Sequence, residues 1–185
     1  MKNLRTQLAL CLVIALSIAC SSKPTDDQSQ LESVENPEIK EVTANEEEVP
    51  TVTIAFKEES TTQIFNAYLA LKDALVATDG EKVSTEAKKL AALLTDDAHT
   101  SIKAEVEKIA ASTDPKVQRD SFDNLSEQMI TLAKNSELTS GNLFLQHCPM
   151  ANGNQGANWL SLSEEIRNPY FGDKMLKCGS VTEKI

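Results

Sequence analysis

The chain carries none of the short patterns that mark common catalytic sites: no GxSxG, no HExxH, no phosphate-cradling GxxxxGK[ST] and no dinucleotide-binding GxGxxG. No acid/base pair or activated nucleophile stands out, so the residues give no reason to read an enzyme. CxxC, the usual sign of a thiol oxidoreductase, is also missing. Basic residues are scarce, with 18 Lys and Arg against 28 Asp and Glu and a formal net charge of −10. A surface of that sign repels phosphate backbones, which excludes nucleic acid as a partner. No apolar run approaches the roughly 20 residues of a membrane-spanning helix. Sulfur is sparse as well, at four cysteines and four methionines, and its placement is uneven.

The longest apolar run, residues 8–18, follows Lys2 and Arg5 and has the length of a signal-peptide core. It leads into Ser17-Ile18-Ala19-Cys20, which resembles a bacterial lipobox, where the cysteine is acylated and becomes the new N-terminus. Polar sequence begins directly after Cys20, as a lipid-held tether requires. Residues 1–19 are therefore read as signal and Cys20 as the lipidation site. Localisation follows as the cell envelope, with an anchor in the outer membrane and a domain facing the periplasm. Residues 20–60 read as an acidic linker, since residues 21–60 hold eleven acids against three bases and show no sustained apolar period. The one apolar patch there, Val49-Pro50-Thr51-Val52-Thr53-Ile54-Ala55-Phe56, is a candidate strand.

Residues 61–185 read as one mostly α domain. Ile64, Tyr68, Leu71 and Leu75 recur at helical spacing, with Asp79-Gly80 as the stop. Val83, Ala87, Leu90 and Leu94 repeat the pattern, as do Ile102, Val106 and Ile109. Asp114 and Pro115 fit the N-cap and first position of a fourth helix carrying Phe122, Leu125, Met129 and Leu132. Short connections predict an antiparallel four-helix bundle. His99 lies between helices and reads as a surface or capping residue.

After Gly141 the pattern changes to an irregular tail. Residues 143–147 and 157–161 read as a short β-hairpin around Asn152-Gly153-Asn154-Gln155-Gly156. Ser163 with Glu164 and Glu165 predicts a helix start, Asn168-Pro169 a break, and residues 173–177 a last short helix closed by Gly179. Trp159 and Tyr170 read as core aromatics. This tail holds His147-Cys148-Pro149-Met150 and Met175-Leu176-Lys177-Cys178, each with one thiol and one thioether. On an extended backbone Cys148 and Met150 share a side, and on a helix Met175 and Cys178 share a face. Thiolate and thioether prefer Cu(I) or another soft metal over Mg or Ca. Cys148, Met150, Met175 and Cys178 are thus the candidate ligands, and His147, on the alternate face, ranks below them. Export also permits a Cys148–Cys178 disulfide, because Cys11 leaves with the signal and Cys20 carries lipid. From the residues alone both readings stand, and both require the two cysteines to be close.

Cys148-Pro149-Met150-Ala151, Trp159-Leu160-Ser161, Asn168-Pro169-Tyr170-Phe171-Gly172 and Met175-Leu176-Lys177-Cys178-Gly179 resemble a domain of unknown function from bacterial envelope proteins. The resemblance extends upstream through 68–76, Asp79-Gly80, Arg119, Phe122 and Ser126. That domain occurs as stand-alone lipoproteins and appended to periplasmic adaptors of heavy-metal (copper and silver) efflux pumps. The resemblance implies soft-metal binding ahead of a structural disulfide. It also implies an efflux adaptor or another envelope protein as partner. The hairpin and barrel segments of an adaptor are absent from this sequence, so the implied role is carrier or partner.

Overall fold

The computed structural model describes residues 53–185. The signal, Cys20 and nearly all of the acidic linker lie outside the described residues. Four long helices make up most of residues 59–134: α1 (Glu59–Val76), α2 (Gly80–Leu93), α3 (Thr100–Ala110) and α4 (Pro115–Lys134). Successive helices pack on one another, and α4 returns against α1 and α2. The apolar stripes do what their period requires: Ile64, Tyr68, Leu71, Leu75, Val83, Leu90, Val106, Ile109, Phe122, Leu125 and Met129 are all buried in one core. Asp114 caps α4 by accepting a hydrogen bond from Lys116 N at 2.9 Å, with Pro115 at the first helical position.

Five strands accompany this helical part among the described residues. β1 (Ala55–Phe56) pairs antiparallel with β2 (Leu138–Ser140). Of the candidate strand at 49–56, residues 49–52 lie outside the described residues; Ala55–Phe56 are strand, and Ile54 and Phe56 are already core residues. β3 (Phe144–Cys148), β4 (Ala157–Ser161) and β5 (Ser180–Lys184) form a second antiparallel sheet in the order β4-β3-β5. The expected hairpin is present, with Cys148 opposite Ala157 and Gln146 opposite Trp159. β5 had no sequence signal, since all five of its residues are exposed.

Three expectations need correction. Gly80 does not end α1. Thr78 takes the left-handed conformation there, at φ +56°, and Asp79 caps α2 by accepting from Lys82 N at 3.0 Å. Gly80 is the first residue of α2, and glycine is required because an added Cβ would overlap the Thr113 carbonyl. No helix starts at Ser163. Its hydroxyl accepts from Glu165 N at 3.0 Å, and the carbonyls of Ser163 and Glu165 are taken by the Gln146 amide at 2.8 and 3.2 Å. The helix expected over 173–177 shrinks to a 3₁₀ turn at Gly172–Lys174, and Met175 leaves it at φ −149°, ψ 52°.

Four aromatic rings tie the sheet to the helices. Tyr68 stacks on Phe122 at 5.6 Å, Phe122 meets Tyr170 at 5.5 Å, and Tyr170 meets the edge of Trp159 at 6.0 Å. The Tyr68 hydroxyl lies 2.9 Å from Ser126 Oγ and accepts from Leu160 N at 3.3 Å. Burial pushes both the Tyr68 and Tyr170 phenols above their ordinary range. Their neutral forms are therefore favoured by folding. That stability is fully present below the unfolded phenol value near 10, and it declines as pH rises above it. Tyr68→Phe is expected to cost about 1–3 kcal/mol at neutral pH, because Ser126 and Leu160 N lose a buried partner. It should also flatten the alkaline limb of a denaturant-midpoint series from pH 8 to 11; an unchanged limb would refute the assignment.

Candidate functional site

Strand alternation on β3 sends Phe144, Gln146 and Cys148 inward, while Leu145 and His147 are half-buried on the other face. Cys148 is fully buried. Cys178, thirty residues later, is half-buried, and its Sγ lies 3.0 Å from Cys148 Sγ, with both residues free thiols. The two cysteines therefore meet. The hydrogen bond from Cys148, followed by burial and then the Cys148 charge, pushes the Cys178 thiol above its ordinary value.

The methionines take a different course. β3 ends at Cys148, and Met150 sits in a turn at φ −92°, ψ −10°, exposed to 46 %. Cys148 and Met150 thus do not share one side of a strand. Met175 and Cys178 do not share a helical face either, because Cys178 N closes a turn onto Met175 O at 3.0 Å. Met150 and Met175 instead line one concavity of about 590 Å³ together with Lys116, Arg119, Phe171 and Lys174. Neither cysteine lines that concavity. The two thiols are thus brought together, while the two methionines line a separate concavity.

His147 has a partner of its own. Its Nδ1 is 2.9 Å from Asn158 Oδ1, and Asn158 Nδ2 donates to Glu127 Oε1 at 2.9 Å. An amide oxygen can only accept, so this arrangement puts the imidazole proton on Nδ1. Among the described residues, no three or more His, Cys, Asp or Glu side chains converge as a metal-binding group.

Two residues that position this region were not singled out from chemistry alone. Arg119 donates through Nε to Pro169 O at 2.7 Å, and through Nη2 to Leu75 O and Thr78 Oγ1 at 3.0 Å each. It therefore joins the tail to the α1–α2 turn. Burial lowers the Arg119 pKa from its ordinary value. Asn168, fully buried, donates through Nδ2 to Cys178 O at 2.7 Å, and its Oδ1 accepts from Tyr170 N at 2.8 Å. The available signal was a polar residue ahead of a proline inside an otherwise aromatic segment.

Residues 64–141 match a family described as "Protein of unknown function (DUF3347)". The match begins within α1, runs one residue past β2 and stops before both Cys148 and Cys178. No curated protein and no solved structure matches the chain. Among the described residues, no helix is long and apolar enough to cross a membrane.

Proposed function

We propose that this chain is a lipid-anchored module of the cell envelope that faces the periplasm and binds a soft cation of the Cu(I) type through Cys148 and Cys178. In this reading the helices form an antiparallel four-helix bundle that carries the sulfur-bearing tail. The module binds rather than catalyses, and it supports heavy-metal tolerance or hands metal to an efflux adaptor or another envelope protein. The observation that carries the reading is the 3.0 Å approach of the two thiols. Two thiolates on one soft cation would stand farther apart than 3.0 Å, up to about twice a metal–sulfur bond of roughly 2.3 Å, so a chelate would require the thiols to separate by side-chain rotation. Soft sulfur ligands select Cu(I). Met150, exposed, and Met175, half-buried, line a separate concavity where they would meet metal in transit rather than hold it.

The test is a Cu(I) titration of the reduced full chain carrying Cys11→Ser and Cys20→Ser, against a competing chelator. One Cu(I) per chain is expected. Cys148→Ser/Cys178→Ser should abolish binding, and Met150→Leu should leave the equilibrium affinity unchanged, since Met150 stands outside the thiol pair. Thiols must lose protons to bind, and Cys178 holds its proton more firmly than usual, so affinity should rise with pH between 6 and 9. Equal Cu(I) retention by wild type and double mutant would reject the reading.

A second reading draws on the same approach of the thiols. The pair is then a permanent disulfide fastening the tail, and the module serves structure or protein interaction. Intact mass of the exported protein, with and without alkylation, separates the two. An already oxidised pair that resists reductant favours the second reading.

A further inference from the structure

We infer that Asn168 is the positioning residue of the sulfur pair: its side-chain amide holds the Cys178 backbone so that the thiol meets Cys148. The inference rests on the proposal above only in taking the cysteine pair as the working site. Asparagine is rarely fully buried, and a buried amide must find partners for its donors and its acceptor. Here the amide faces two ways. Oδ1 accepts from Tyr170 N at 2.8 Å and Phe171 N at 3.3 Å, a local turn that any Asn-Pro segment can make. Nδ2 reaches ten residues ahead to the carbonyl of Cys178 itself, at 2.7 Å. The Asn168 backbone adds a bond from its N–H to Leu176 O at 2.8 Å. The carbonyl just ahead is fixed in turn, since Arg119 holds Pro169 O from α4.

The far side of Cys178 is constrained as firmly. Gly179 has φ +140°, and an added Cβ would stand 2.7 Å from His147 O and 3.0 Å from the Trp159 ring. The chain after Cys178 is therefore pressed against β3, where His147 pairs with Ser180. Cys148 is fixed by its place opposite Ala157. With both backbones held, only side-chain rotation remains between separated thiols, a shared cation and a sulfur–sulfur bond. Such preorganisation appears as a high effective concentration of one thiol at the other.

That quantity can be measured without metal. The full chain with Cys11→Ser and Cys20→Ser is equilibrated in glutathione buffers of varied ratio, and the oxidised fraction is read by alkylation and mass. The chemistry balances: glutathione disulfide takes two electrons, two molecules of glutathione leave as thiols, and Cys148 and Cys178 become joined. Asn168→Ser keeps a hydroxyl for Tyr170 N but cannot reach Cys178 O, and Asn168→Asp keeps the acceptor while losing the donor. Each is expected to lower the effective concentration about tenfold or more, and to speed alkylation of buried Cys148. Cu(I) affinity, if the metal reading holds, should fall in parallel. Trp159 emission and far-UV circular dichroism identify which variants remain folded. If the folded variants leave both the glutathione equilibrium and the alkylation rate unchanged, Asn168 is only a loop residue and the inference fails. If both variants unfold, Asn168 serves the fold as a whole and the inference fails equally. A shifted equilibrium in a chain that binds no Cu(I) would sustain it while rejecting the metal reading.

Discussion

Replacing Tyr170 by alanine is expected to cost about 3–5 kcal/mol of folding free energy, the range for removing a large aromatic from a packed core. The ring stands where the tail meets the helices, touching Phe122 on α4 and Trp159 on β4. Its hydroxyl donates to Asn158 O at 2.9 Å, so the truncation also strips a partner from a β4 carbonyl. Tyr170 lies two residues after Asn168, inside the segment that carries Cys178 toward Cys148. The damage should therefore begin at the sulfur pair, with Cys148 becoming open to alkylation at denaturant concentrations where α1 to α4 retain their circular dichroism. Tyr170→Phe keeps the ring and should cost only about 1–2 kcal/mol. If Tyr170→Ala shifts the denaturant midpoint no more than Tyr170→Phe does, the aromatic stack does not dock the tail.

What the sequence reveals and what it hides divides along the range of the interactions. The stripes of α1 to α4 were legible because a helix buries one face at a fixed period, and that period is local. Asp114-Pro115 was legible for the same reason, as a cap is satisfied within a few residues. Gly80 misled because its meaning is non-local: it makes room for Thr113, which arrives from the α3–α4 turn. Ser163 misled because the backbone acceptors that a helix there would use are claimed by Gln146, seventeen and nineteen residues earlier. β5 has no apolar face to signal it, and it forms because β3 offers a free edge.

The candidate site follows the same division. The meeting of Cys148 and Cys178 was foreseeable, since two cysteines remain once Cys11 and Cys20 are set aside as the expected signal and lipid positions, and both readings of that pair required contact. The local geometry was not. Pro149 and Met150 turn away at the end of β3, and the 3₁₀ turn at Gly172–Lys174 stops before Met175. A strand rule and a helix rule were therefore each applied one element too far, and the thioethers went to a separate concavity. Arg119 and Asn168 act across fifty and ten residues, so only the assembled fold reveals them as the supports of Cys178.

Joining Cys148 to Cys178 is expected to stabilise the folded chain by about 3–4 kcal/mol, because the bond closes a loop of some thirty residues and removes that freedom from the unfolded state. In thermal unfolding, with Cys11 and Cys20 replaced by serine, the oxidised form should melt on the order of 10 °C above the reduced form. Cys148→Ser/Cys178→Ser should be indifferent to oxidant. The same measurement separates the two proposed roles. A disulfide gives a fixed increment, whatever the concentration of any ligand. A cation bound by the reduced pair stabilises by an amount that grows with free metal, about 2.7 kcal/mol at one hundred times its dissociation constant and 1.4 kcal/mol more per further decade. A melting temperature of the reduced chain that climbs with buffered Cu(I), and does not climb in the double mutant, would mark a metal carrier. A reduced chain whose melting temperature ignores Cu(I), beside an oxidised chain raised by the full increment, would mark a disulfide-fastened scaffold.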